Sequence, residues 1–305
     1  MSKPTYGGQA VIEGVMMRGQ FDMAVAVREP SGNILIHSER LTGALYASKW
    51  AKRPFIRGVL LLWDTMVLGV RTLLFSAKIA AAEEAVEMTP RVMWGTLAIS
   101  LAMALSLFFV LPVLLVGIVD QYITSSVVSN VVEKAIRLGM LVGYIGAVGF
   151  IPDVRRVFAY HGAEHKAVNA HEDGAPLVVD VVEKYSTAHP RCGTSFLLVV
   201  MLVSFVAFVA LGRPPFEIRV ISRIVLVPVI AAVAYELIKL GALHHRNLFV
   251  KMLLAPGLAL QSLTTRQPTP DQVEVAIAAL KHVVAAEQER VSQIGTVPAV
   301  SAVRP

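Results

Sequence analysis

Apolar and polar positions alternate along this chain in blocks, long uncharged runs separated by polar connections. From Val92 to Val119 no charge interrupts the sequence, which exceeds the ~20 residues a helix needs to cross a hydrocarbon core. Gly193 to Gly212 is a second uncharged run, of minimum spanning length, ending at Arg213, Pro214 and Pro215. Leu138 to Ile151 is uncharged but short; it crosses only if its helix extends backward through Glu133, Lys134 and Arg137, whose long stems would snorkel to the interface. Val220 to Leu243 has the length but carries Arg223, Glu236 and Lys239. The pattern predicts a mainly α, polytopic membrane protein with about four spans. Phe55 to Glu84 differs, because Arg57, Asp64, Arg71 and Lys78 recur every seven residues along one side of a helix. That is the arrangement of an amphipathic helix lying in the interface. Leu248 to Leu263, broken by Lys251, Pro256 and Gly257, reads as another.

The two ends have a different character. Gln9 to Arg18, Met23 to Glu29 and Ile34 to Arg40 are β-prone, with a turn at Ser31, Gly32 and Asn33, and predict a small antiparallel meander. Thr269, Pro270, Asp271 and Gln272 have the form of a capping box with proline at the first helical position, so a helix of about twenty residues starts there. Past Gln293 a disordered tail is expected. The resulting division is an N-terminal Gly-rich β element (1–54), a helical membrane domain (55–268) containing a polar loop (152–192), and a C-terminal helix and tail (269–305).

Composition supports this reading. The chain is 55% hydrophobic and 16% charged, with a mean hydropathy of +0.62. Soluble domains carry roughly 25% charged residues, so a soluble two-domain enzyme is excluded. A single cysteine, Cys192, rules out an internal disulfide framework and fits a reducing compartment. The 28 Lys and Arg against 22 Asp and Glu do not indicate nucleic acid, because the cations cluster beside apolar runs. Eleven lie before residue 92, five between 152 and 192, and six after 243, against two and three in the alternate connections. The bias predicts a multi-pass protein of the cytoplasmic (inner) membrane with both termini in the cytoplasm. No signal peptide is visible at the N-terminus.

The chemistry concentrates in the polar loop. Pro152 with Asp153 marks a helix start and Gly174 a stop. On that helix His161 and His165 lie one turn apart on one face, the spacing two imidazoles need to hold one metal ion. With Glu164 they form H-x-x-E-H, the motif of inverted zinc peptidases, in which the Glu activates water. Glu172 returns to the same face and is a candidate third ligand or a supporting partner of the ligands. His189 and Cys192 add metal-compatible side chains just before the next apolar run. Glu236, inside an apolar helix and near its cytoplasmic end, is the further candidate ligand, followed at the exit by His244 and His245. Each residue also has a plainer reading. The histidines could simply be interfacial, Cys192 a small buried residue or a redox thiol, and Glu236 the ion-pair partner of Lys239. Arg191 fits either the inside-positive bias or an anionic substrate or lipid phosphate. The clustering of Glu164, His189 and Cys192 around the histidine pair favours the metal site.

GGQAVIEGVMMRG (Gly7 to Gly19), AYHGAEHKAVNAHE (Ala159 to Glu172) and HPRCGTSF (His189 to Phe196) resemble the signatures of the YqhQ-like bacterial membrane family, a domain of unknown function labelled a metal-dependent enzyme. The resemblance runs from about Gly7 to beyond Pro256, which makes the helix after Pro268 an expected extension. It agrees with the residue reading at His161, Glu164, His165, His189 and Cys192 and implies no substrate. In the first signature, Gly7, Gly8, Gly14 and Gly19 permit tight turns or close backbone approach. This element is expected to fold against the cytoplasmic face and deliver Glu13 or Arg18 towards the histidines, or else to be a hairpin with solvated charges. It is not a phosphate loop, since no Lys-Ser or Lys-Thr follows the glycines. The leading expectation is a metal-dependent, hydrolytic membrane enzyme using a divalent ion, zinc by its donor types, on an amphiphilic substrate or membrane-proximal peptide. The rival is a non-catalytic scaffold or small transporter with a structural His and Glu cluster.

Overall fold

The computed structural model describes residues 6–41, 53–81, 89–189, 192–212, 214–243 and 248–295. Four antiparallel strands open the fold, β1 (Gly7–Val11), β2 (Gly14–Arg18), β3 (Asp22–Arg28) and β4 (Ile34–Arg40), in the order β1-β2-β3-β4. The stretch Gln9 to Arg18, expected as one strand, folds back on itself: Val11 pairs with Gly14, and Glu13 at the corner adopts φ 52°. A left-handed conformation is unfavourable for a glutamate unless its surroundings hold it there. Here Arg156 donates two hydrogen bonds to the Glu13 carboxylate and Tyr160 a third. The β3–β4 turn lies where expected, with Gly32 at φ 90°.

Strands β2 and β3 are buried on both faces, which explains why their sequence, MAVAV for example, runs apolar without alternating. One face carries Val15, Met17, Ala24 and Ala26 into a core shared with two helices, α4 (Pro152–Glu172) and α10 (Pro270–Gly295). The opposite face carries Met16, Met23, Val25 and Val27 against Leu68 and Phe75 of α1 (Ile56–Ala80). Helix α10 begins at the expected cap: the Gln272 side-chain carbonyl accepts the Thr269 N–H at 3.0 Å. It is integral to the core rather than appended. Val273, Ala276, Leu280 and Val283 are fully buried, Glu287 accepts the Phe21 and Asp22 N–H groups, and Arg290 pairs with Asp22. The ends of the chain and the middle helix α4 therefore make one α/β module, so the division at residues 54 and 268 does not follow the packing. The expected tail lies beyond the described residues.

Three of the four charges spaced by seven on α1 have protein partners: Arg57 pairs with Glu236, Asp64 with Arg18 and Arg71 with Glu39, while the Arg71 and Lys78 side chains stay exposed. Gly58 makes the close approach to Tyr235 possible.

The remaining helices form an apolar bundle. Pro90–Leu105 passes through a π-helical turn, Ser106–Val110, into Leu111–Asp120, giving a rod of 31 residues, α2. Helix α3 (Ser126–Val148) meets α4 at 101°. A short turn α5 (Val179–Val182) and the described loop to His189 follow, then α6 (Gly193–Leu211), α7 (Phe216–Val225), α8 (Val227–Leu243) and α9 (Leu248–Thr264). Among the described residues α1 and α2 are each long and apolar enough to cross a membrane, and up to four crossings result if the bent pairs α3–α4 and α7–α8 each count as one. Val220 to Leu243 is thus two helices, broken by 45° near Leu226.

Helix α3 does extend back through Glu133, Lys134 and Arg137, but the first does not reach for an interface. Glu133 turns inward and forms a double hydrogen bond with Arg223 of α7, the two side chains being 2% and 1% exposed. Arg137 makes a second ion pair to Glu133, and Arg223 lies 3.9 Å from the Phe208 ring centre. Lys134 donates to Ser204. Removing the carboxylate from a buried pair leaves the cation uncompensated, at about 3–5 kcal/mol. Glu133→Gln is therefore expected to lower the thermal unfolding midpoint in detergent markedly, and Glu217→Gln, on the exposed first turn of α7, to leave it unchanged.

Candidate metal centre

Helix α4 grips the loop ahead of α6 by its backbone. Lys166 Nζ donates to the carbonyls of Glu183 and Tyr185 at 2.6 and 2.7 Å, and Asn169 Nδ2 to those of Ser186 and Ala188 at 2.9 and 3.1 Å. From α9, buried Gln261 accepts the His189 N–H at 3.1 Å and donates to the His189 carbonyl at 2.8 Å. These bonds fix His189 and the approach to Cys192, which caps α6.

The two α4 histidines are anchored in the same way. His161 Nδ1 lies 2.9 Å from the Thr264 carbonyl, and His165 Nδ1 2.6 Å from the Thr187 carbonyl. A carbonyl only accepts, so each Nδ1 carries a proton, and it is Nε2 that has the lone pair in the neutral form of either ring. The rings lie 4.4 Å apart between centres. Cys192 Sγ sits 3.4 Å from His161 Nε2 and accepts a hydrogen bond from Thr194 Oγ1 at 3.3 Å. Among the described residues, one ligand atom from each of His161, His165 and Cys192 falls within 4.8 Å of the other two.

His189 stands beside this trio. Its ring centre is 5.7 Å from that of His165, and its Nε2 is buried without a hydrogen-bond partner, 3.6 Å from Glu172 Oε1. Burial, reinforced by His165, lowers its pKa to about 4. Two imidazole nitrogens, a thiol and a third imidazole nearby are donor types that could hold a divalent ion. Carbonyls behind ligating histidines are the usual orienting partners of such a centre.

Glu164 lies on the β-sheet side of the same helix. Its Oε1 accepts the Gly8 N–H at 2.9 Å, and its burial raises its pKa, partly offset by His161 and by the Gly8 bond. Gly8 is required there: a Cβ would stand 3.2 Å from Glu164 Cγ and 2.3 Å from the Met16 carbonyl. The first signature thus reaches the site through a backbone amide. Glu13 instead holds Arg156 and Tyr160 one to two turns earlier on α4, and Arg18 holds Asp64 on α1, because each finds an opposite charge or donor on the helix it packs against. Glu236 is not a member of the cluster. Arg57 and the Phe55 N–H take its carboxylate, which also replaces the expected pairing with Lys239. Arg191, His244 and His245 lie outside the described residues.

Sequence reading missed the supporting groups. Lys166 and Asn169 lie three apart on one face of the helix, and Gln261 is the one strongly polar side chain in GLALQSL, so all three were detectable. The carbonyls of Thr187 and Thr264 carry no signal in residue type.

Two outcomes follow. At Gly162 an added Cβ would fall 2.2 Å from the Arg266 carbonyl, so Gly162→Ala must push away the strap that holds His161. Metal affinity, measured by competition with a chelating dye, is expected to fall by about 10–100-fold, the usual effect of losing an orienting partner. In metal-free protein, His189 binds a proton near pH 6.5 when unfolded but only near 4 when folded. The unfolded state therefore gains the proton first, and stability declines as pH falls from about 6.5 to about 4. Melting curves of His189→Asn across that window should lack this component of the decline.

Comparison with known proteins agrees with the family resemblance. The family model described as "Protein of unknown function (DUF1385)" matches residues 53–286 and so reaches well into α10. The uncharacterized protein YqhQ of Bacillus subtilis (strain 168) is 33% identical over 293 residues, covering 90% of each chain. No solved structure matches. A family match over most of the chain, with this identity across nine-tenths of it, makes the protein a member of the YqhQ-like family, DUF1385.

Proposed function

We propose that this protein is a metal-dependent hydrolase of the cytoplasmic membrane, with about four spans, both termini in the cytoplasm and its site at the cytoplasmic interface. His161, His165 and Cys192 hold a divalent ion, zinc by donor type, with His189 as the reserve donor. The observation that carries this reading is the convergence of three ligand atoms while both histidine Nδ1 protons are committed to backbone carbonyls. When bound, such an ion polarises the scissile carbonyl or phosphoryl group and makes water a usable nucleophile near neutral pH. Thr264 and Thr187 keep the Nε2 atoms directed at the centre. Glu164, buried and with its pKa raised, accepts the proton of the attacking water at a carboxylate oxygen and returns it to the leaving group. The Gly8 amide holds that carboxylate in place. The site borders an apolar bundle, since Cys192 begins apolar α6 and α4 follows α3 directly, which favours an amphiphilic substrate or a membrane-proximal peptide.

Metal analysis of protein purified without chelators is expected to find about one divalent ion per chain. His161→Ala, His165→Ala and Cys192→Ala should each lose it, whereas Glu164→Gln should keep the ion and lose hydrolysis of a panel of peptides and lipid esters. Substoichiometric metal unaffected by these changes would make the cluster structural. Turnover that needs Cys192 but no metal would make His161 and Cys192 a thiol dyad instead, the 3.4 Å contact then being catalytic.

A further inference from the structure

Helix α4 has a second face lined with polar side chains. Residues 155, 156, 159 and 160 lie roughly 80–180° around the helix from His161 and His165 at ~100° per residue. That face lines a cavity of about 780 Å³ between the α3–α4 bend and the strand of chain that joins α9 to α10. Four guanidinium groups border it, those of Arg28, Arg155, Arg156 and Arg266, together with Tyr160 and Phe150. Two of the four are already matched, Arg28 by Glu274 and Arg156 by Glu13. The other two are not. Arg155 is exposed and makes no ion pair among the described residues, and Arg266 Nη1 donates to the carbonyls of Ser262, Leu263 and Thr265 and meets no carboxylate among the described residues. Arg28 Nε is buried without a partner. Asp271 is the acid of the lining itself, so the rim remains cationic after the internal pairs are counted.

The cavity also adjoins the apolar bundle. Phe150, at the end of α3, is 87% exposed, Ile151 beside it 48%, and Leu138 and Val142 lie exposed on the same helix. A pocket with arginines inside and an aliphatic approach outside suits a ligand with a phosphate head and a hydrocarbon tail. We propose that this pocket binds the phosphate of an anionic glycerophospholipid, with Arg155 and Arg266 on the phosphate oxygens and the acyl chains beside Phe150. The site is separate from the metal centre and does not rest on its assignment. The chain segment that carries Arg266 also carries the Thr264 carbonyl that orients His161, so the two faces share one strap.

Native mass spectrometry of the full chain in detergent micelles, titrated with short-chain phosphatidylglycerol or phosphatidylcholine, tests the proposal whatever the chain's topology. Phosphatidylglycerol is expected to bind more tightly than phosphatidylcholine, and Arg155→Ala to reduce that binding about fivefold, the usual weight of one arginine near an anionic headgroup. Arg155→Glu should reduce it further, and because this residue is exposed both variants should melt like the parent. A parallel titration with glycerol phosphate separates the sources: competition at millimolar concentration would assign the pocket to a soluble phosphate ester, and its failure to compete would leave the lipid as the ligand. Equal binding of the two lipids, or unchanged phosphatidylglycerol binding in both variants, with no glycerol phosphate binding, overturns the proposal. Metal content is expected to stay unchanged in both variants, so the result is read apart from the fate of the metal site.

Discussion

Two backbone carbonyls, those of Thr187 and Thr264, determine what the histidine pair can do. By accepting the Nδ1 protons they leave Nε2 as the free nitrogen of each neutral ring, and that of His161 lies 3.4 Å from the Cys192 sulfur. A carbonyl can serve this way only if the chain bearing it is held to a few tenths of an ångström. Lys166, Asn169 and Gln261 supply that restraint on the His189 side. On the other side Gly162 lets the Arg266 carbonyl approach α4, and the Arg266 N–H bonds to the Phe158 carbonyl at 2.9 Å. The site is therefore assembled from three distant parts of the chain, and its precision depends on hydrogen bonds to backbone more than on the ligands themselves.

The β-sheet gives α4 its other support. Packed between α1 and the α4–α10 pair, it presents β1 to α4 so that an amide reaches Glu164 and a hairpin corner reaches Arg156. Desolvation of Glu164 is tolerable because the Gly8 N–H answers one carboxylate oxygen. A glutamate in this setting takes up a proton more readily than one in water.

How far the sequence made this visible depends on the kind of signal. The long apolar runs, the proline-led helix α4, the capping box at Thr269 and the His161–His165 spacing are local, and each has its physical counterpart in the fold. The glycines of GGQAVIEGVMMRG allowed a hairpin but did not place its corner at Glu13, a residue that is not glycine and that Arg156 and Tyr160, far along the chain, hold in place. Glu236 looked available because its partner Arg57 lies 179 residues away on a helix read as facing lipid. Charges on α1 were expected at the interface from their spacing and those on α3 from the shortness of its apolar run, yet Arg57, Asp64 and Glu133 meet opposite charges on other elements, which local pattern does not reveal. Residue type located the donors, while long-range pairing determined which of them meet.

X-ray absorption at the metal edge, on protein loaded with one zinc ion, tests the central geometry most directly. It should show one sulfur at about 2.3 Å and two imidazole nitrogens at about 2.0–2.1 Å, with the sulfur lost in Cys192→Ser. A shell made only of oxygen and nitrogen, unchanged by that substitution, would contradict the account.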